Sequence, residues 1–159
     1  MSTFQSKKVI IVLVTSLALL LLATSAFAQG AQVTRGEFNT FASGAGLGYD
    51  ISGQAQMIRT ADGRTLVTVQ LQGLHPLVTY GAHVHNLPCN VNNGGGHYQH
   101  AVGGPVNATN EIWPGFTTNA AGQGNGLAVN EFTARPEAQS VVVHDPNAAN
   151  ARIACADLQ

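Results

Sequence analysis

Positive charge is scarce in this sequence. Lysine occurs only at Lys7 and Lys8, and arginine only at Arg35, Arg59, Arg64, Arg135 and Arg152. Beyond residue 28, five arginines face eight acidic residues, a net charge of −3. No basic stripe able to hold a phosphate backbone survives that count, which excludes nucleic-acid binding. Long apolar runs are also missing beyond residue 28, and a membrane-crossing helix needs roughly 20 such residues. The mature chain is therefore expected to have no membrane span. Cysteine is limited to Cys89 and Cys155. In an oxidising compartment an even pair reads as a disulfide. Closing a loop of that length stabilises a fold by roughly 4 kcal/mol on the chain-entropy model.

The compartment follows from the N-terminus. Lys7 and Lys8 precede an apolar run from Val9 to Leu22, and Ala26-Phe27-Ala28 follows. Basic residues, a short apolar stretch and a small-x-small site, in that order, predict a secretory signal peptide over 1–28. No cysteine near that site offers a lipid attachment point. The remaining 29–159 suit one exported domain, periplasmic or extracellular, with a real core.

Within 29–159 the apolar residues recur with period two, punctuated by glycine and asparagine, and no helix is expected. Strands are predicted at 32–41, 51–60, 65–72, 80–85, 116–119, 126–133 and 139–144. Asp62-Gly63 supplies a hairpin turn between the second and third. The segment from Asn86 to about Gly115 has no strand pattern. Loops longer than about 15 residues inside compact domains are usually functional or disordered, and this one has histidines at its start. Within it, Asn107-Ala108-Thr109 forms a glycosylation sequon, meaningful only in a eukaryotic secretory pathway.

Six histidines occur, at His75, His83, His85, His97, His100 and His144. Residues two apart on a strand share a face, so His83 and His85 point together while Ala82 and Val84 point away. His97 follows Gly94-Gly95-Gly96, where a pliable backbone folds a side chain back over the strand. His144 ends the run Val141-Val142-Val143 on the side opposite Val141 and Val143. A lone histidine is more often a hydrogen-bonded surface residue than a ligand, but four that converge predict a transition-metal site. His75, in an apparent turn before Pro76, is assigned no chemistry. Imidazole suits copper, zinc, iron and nickel, whereas calcium and magnesium want oxygen. The residues by themselves leave copper and zinc open.

Gly81-Ala82-His83-Val84-His85 resembles the Gly-x-His-Val-His signature of the copper/zinc superoxide dismutases. Gly96-His97-Tyr98 is similar to the segment carrying their bridging histidine, and Val142-Val143-His144 to the strand supplying their last copper ligand. Arg152-Ile153-Ala154-Cys155 resembles their arginine-x-Ala-Cys ending. The match runs from about Thr65 to Leu158 with four motifs in order. It implies an all-β, immunoglobulin-like Greek-key β-sandwich or barrel, an architecture for which that family is a standing example, with a long metal-site loop. It also implies that His83, His85, His97 and His144 bind one copper per chain. Cys89 and Cys155 occupy the positions of the family disulfide, and Arg152 that of the residue attracting superoxide.

The departures are informative. The family's zinc site adds two further histidines and an aspartate to the bridging histidine. Here only His100 follows His97 before His144, and no aspartate lies between Asp62 and Asp145. Zinc is therefore not expected, and the sequence resembles a copper-only, bacterial-type branch. The stretch from His144 to Arg152 is also short, which predicts a site open to small ligands. A metal-ligating histidine gives its second nitrogen to an acceptor. With no zinc expected, Glu111, the only acidic residue between Asp62 and Glu131, is the proposed partner of His97. The resemblance implies dismutation of superoxide to dioxygen and hydrogen peroxide, with Arg152, His97 and Glu111 serving the reaction. The rivals are a non-catalytic copper buffer of the same fold and a zinc-stabilised sandwich without redox chemistry. No oligomeric partner is specified.

Overall fold

The computed structural model describes residues 30–159; the leader expected at 1–28 lies outside them. The elements in order are β1 (Gln32–Glu37), β2 (Asn39–Thr40), α1 (Ala42–Gly46), β3 (Ser52–Arg59), β4 (Thr65–Gln72), β5 (Thr79–His85), β6 (Phe116–Thr117), β7 (Gly124–Asn130), β8 (Ser140–Asp145) and β9 (Ala151–Asp157). One antiparallel sheet has the order β1-β3-β4-β7 and the other β2-β9-β8-β5-β6. The chain changes sheet after β1, β2, β4, β6 and β7, and one hydrophobic cluster fills the space between. This is the expected all-β sandwich. Among the described residues no helix is long and apolar enough to cross a membrane.

The alternation that predicted the hairpin also explains its packing. Ala55 and Met57 of β3 and Val67, Val69 and Leu71 of β4 are each at most 5% exposed, and the residues between them face outward. The connection is closed by Thr60 N–H donating to Arg64 O at 2.9 Å, with Gly63 at φ 90°. That left-handed conformation is open to glycine at little cost. Cys89 and Cys155 are bonded across a separation of 66 residues, tying the segment after β5 to β9.

Three sequence expectations need correction. The first predicted strand is divided at Phe38: β1 pairs with β3 in one sheet and β2 with β9 in the other. Phe38 is buried at that crossing. A helix does occur, the single turn α1, along with 3-10 turns at Asn92–Gly94 and Pro146–Ala148. Its sequence, Ala-Ser-Gly-Ala-Gly, carries no apolar period. Small residues are needed because a Cβ on Gly44 would lie 2.3 Å from Ile153 O. The strand β9 was not marked by alternation, since Ile153, Ala154, Cys155 and Ala156 are all buried in succession. A strand covered on both faces loses the period-two signal.

Candidate metal centre

The sheet positions three of the histidines. β5 and β8 run antiparallel with His83 opposite Val142, His85 opposite Ser140 and Gly81 opposite His144. Opposed residues share a face, so His83, His85 and His144 stand together, away from Ala82, Val84, Val141 and Val143 in the core. The β8–β9 register shifts between Val143 and His144, bringing Arg152 opposite His144. Irregularities of this kind re-aim side chains.

The fourth histidine arrives by loop. Val84 of β5 donates its N–H to Ile112 O at 3.0 Å and accepts from Tyr98 N–H at 2.8 Å. Tyr98 and Ile112 then plunge into the core, at 1% and 0% exposure. Their chain neighbours His97 and Glu111, fourteen residues apart in sequence, are thereby set side by side. The glycines before His97 do more than loosen the backbone. Gly95 has φ 72°, and a Cβ there would lie 2.6 Å from Asn86 Oδ1. Its carbonyl, in that conformation, faces His85 Nδ1 at 3.3 Å.

One nitrogen from each of His83, His85, His97 and His144 lies within 4.8 Å of the others. The hydrogen bonds say which nitrogen is free. Nδ1–H donates to Gly95 O in His85, to Glu111 Oε2 at 2.6 Å in His97, and to Asn150 O at 3.0 Å in His144. Each of those rings is left with a bare lone pair on Nε2. His83 differs, because its Nδ1 is buried without any hydrogen-bond partner. The Nε2 atoms of His85 and His144 approach to 3.4 Å, and two lone pairs so close repel unless a cation lies between or beside them. An orphaned nitrogen and converging lone pairs fit a transition-metal ion held by four neutral imidazoles. Burial first, and then the neighbouring histidines, push the His83 and His85 pKa values down to about 3 and lower that of His144. These rings are neutral at pH 7, as ligands must be.

Glu111 is 1% exposed. Burial would raise its pKa, but donors outweigh that effect and hold it below the usual carboxylate range. They are Gln99 Nε2 at 3.0 Å, Trp113 Nε1 at 2.9 Å and His97. A carboxylate accepting several such bonds stays ionised. Trp113 also stands edge-on to His83, with ring centroids 5.6 Å apart. Gln99 and Trp113 were missed in the sequence. Each lies two residues after a site residue, so the period-two rule extended into the loop would have found both.

Arg152 Nη1 donates to Asn92 O at 2.9 Å and Asn93 O at 3.1 Å, and among the described residues no carboxylate pairs with it. The remaining histidines stay outside the cluster. His100 Nδ1 lies 3.3 Å from Tyr98 Oη, and its ring packs on Phe132. His75 stacks on Tyr49 with centroids 4.5 Å apart.

This is the sandwich fold of the superoxide dismutases and superoxide-dismutase-like proteins. Among solved structures, the chain is similar to Candida albicans superoxide dismutase 5 with Cu(II), at TM-score 0.56 and 18% identity over 80% of this chain and 91% of that one. A point mutant of the same Candida protein matches at TM-score 0.56 and 16% identity, over 82% and 92% of the two chains. A point mutant of a superoxide-dismutase-like protein from Bacillus subtilis matches at TM-score 0.53 and 15% identity, over 78% and 96%. No family model matches the sequence, and no curated protein matches it by sequence. Identities this low establish the fold and leave the activity to be argued from the site.

Proposed function

We propose that this protein is an exported copper-dependent superoxide dismutase, converting superoxide to dioxygen and hydrogen peroxide. The observation that carries this reading is the set of four imidazoles whose unshared nitrogens converge, backed by a buried carboxylate instead of a second metal-ligand cluster. His83 through Nδ1, and His85, His97 and His144 through Nε2, would hold one copper. Copper, when bound, supplies one-electron chemistry, taking an electron from one superoxide and returning it to a second. Zinc is disfavoured because His97 Nδ1, the atom a bridged second metal would need, is already committed to Glu111.

The protein supplies charge and protons. The Arg152 guanidinium, fixed by loop carbonyls and unpaired with acid, draws the anion toward a net-negative molecule. His97 is the one loop-borne ring, with 29% of its side chain exposed. When that ring is not ligating metal, its Nε2 would take a proton from solvent and give it to the peroxide product, while Nδ1 stays bonded to Glu111. Glu111 holds the Nδ1 proton and stabilises the ring when positively charged. The disulfide supports export, with 1–28 as the leader and 29–159 as the domain.

Metal analysis after loading with copper and zinc, together with dismutase activity per copper, tests this reading. One copper per chain with turnover is expected. Stoichiometric zinc beside copper would sink the copper-only assignment, and copper without turnover would leave a non-catalytic copper-binding protein of this fold.

A further inference from the structure

The turn that closes behind His144 is held by a tyrosine from a distant part of the chain. Asp145, directly after His144, is 3% exposed. Its Oδ1 accepts from Asn147 N–H at 2.8 Å, capping the 3-10 turn Pro146–Ala148. Ala149 and Asn150 then both adopt left-handed conformations, at φ 51° and 57°. Residues other than glycine take that conformation only where their surroundings impose it. The reward is that the Asn150 carbonyl returns to His144 Nδ1 at 3.0 Å.

Asp145 Oδ2 accepts from the Tyr49 hydroxyl at 2.7 Å. Tyr49 lies between α1 and β3 and is 4% exposed. Since its proton is committed to a carboxylate, its oxygen accepts from the Tyr80 hydroxyl at 3.1 Å. Tyr80 in turn accepts from His75 N–H at 3.1 Å. The Tyr49 oxygen also lies 3.4 Å from His75 Nδ1, and the chain of hydroxyl donation ends on Asp145. Such a fully satisfied buried network fixes its members more firmly than separate pairs would.

We propose that Tyr49 is a positioning residue for the metal centre. Through Asp145 it secures the turn whose Asn150 carbonyl keeps His144 in the tautomer that leaves Nε2 bare. The consequence for copper rests on the function proposed above, while the consequence for the His144 ring does not.

The variant Tyr49→Phe keeps the ring that stacks on His75 and removes only the hydroxyl. Tyr80→Phe is the matched control, because it removes a hydroxyl from the same network without touching Asp145. The first readout is the exchange rate of the His144 Nδ1 proton in the full, metal-free chain, followed by NMR and identified through its loss in His144→Gln. Tyr49→Phe should speed that exchange about tenfold, and Tyr80→Phe far less. The second readout is copper(II) affinity, expected to fall about 3–10-fold, below the roughly 10–100-fold seen for groups that touch a ligand directly. Unchanged exchange in Tyr49→Phe, or equal acceleration in both variants, overturns the proposal, the latter by showing a general loosening of the core. Wild-type protein that takes up no copper would refute the functional reading alone, and the exchange rates would still decide the role of Tyr49.

Discussion

The two halves of the metal centre are built on different principles. His83, His85 and His144 are placed by the β5–β8 ladder, so their positions are as firm as the sheet. His97 and Glu111 come from a thirty-residue loop stitched to the β5 edge at Val84, and their geometry depends on a few hydrogen bonds around one buried carboxylate. Exposure follows the division in part: His85 and His144 are 0% and 8% exposed, whereas strand-borne His83 is half-buried, as is loop-borne His97. The sheet is suited to holding an ion. The loop is suited to a ring that meets solvent.

The largest expected effect tests that division directly. His85→Ala should lose copper affinity by more than about 100-fold, beyond the range for outer-shell partners. His97→Ala should keep most of its copper on the three strand rings and lose turnover instead. Equilibrium copper competition beside activity per copper measures both. Equal loss of copper in the two variants would erase the distinction between halves.

Glu111→Gln comes next. It keeps the side-chain shape and removes the charge that stabilises protonated His97, so activity per copper should drop about 10–100-fold. Occupancy should fall less than turnover. Measured from neutral to alkaline pH, equal activity per copper in both proteins would make Glu111 a purely structural acceptor for Gln99 and Trp113.

The same division governs how much was legible in the sequence. The strand rings could be read because period two assigns a face to each residue: His83 and His85 by spacing, His144 by parity with Val142. The all-β class was legible from the same alternation, while the sandwich architecture came from the family resemblance. In the loop, the proximity of His97 and Glu111 is a tertiary fact, arranged by two backbone bonds to Val84 that no local pattern encodes. Glu111 was reachable only by elimination, as the sole acid available. Tyr49 left no trace, because a tyrosine between a small-residue helix and a strand looks like ordinary core. The missed strand β9 and the break at Phe38 have a common cause: burial on both faces, or a change of sheet, removes the alternation on which the reading depends.

The strand rings also predict how the metal-free protein answers to pH. His83 and His85 fall from the ordinary 6.5 to about 3 in the folded protein. Between those values the unfolded chain binds more protons, so stability is full above about pH 6.5 and is lost progressively as pH falls toward 3. Urea midpoints for metal-free protein should therefore decline from pH 7 to pH 5. Copper should lessen the decline, because it binds the neutral rings and competes with protons. A flat profile without metal would mean the strand rings are better solvated than their burial implies.

The smallest effect belongs to Arg152, which joins the two halves. It extends from β9 opposite His144, and its Nη1 is pinned to the carbonyls of Asn92 and Asn93 in the disulfide-tethered loop. Those bonds orient the guanidinium without neutralising it, since a carbonyl carries no net charge. Its role should therefore be long-range attraction of an anion, with no part in holding metal. Arg152→Ala should leave copper occupancy intact and slow superoxide turnover about 3–10-fold at low ionic strength, as for loss of a charge that steers association. Alanine also frees two carbonyls, so Arg152→Lys is the needed partner: it keeps a point charge but cannot reproduce the planar fork. If attraction is the mechanism, lysine should recover most of the rate at low salt. The gap between alanine and wild type should then shrink as the Debye length falls from about 10 Å at 0.1 M to 3 Å at 1 M. A deficit that ignores salt and is shared by lysine would show that Arg152 acts through the loop it pins, and the charge would have no part in the rate.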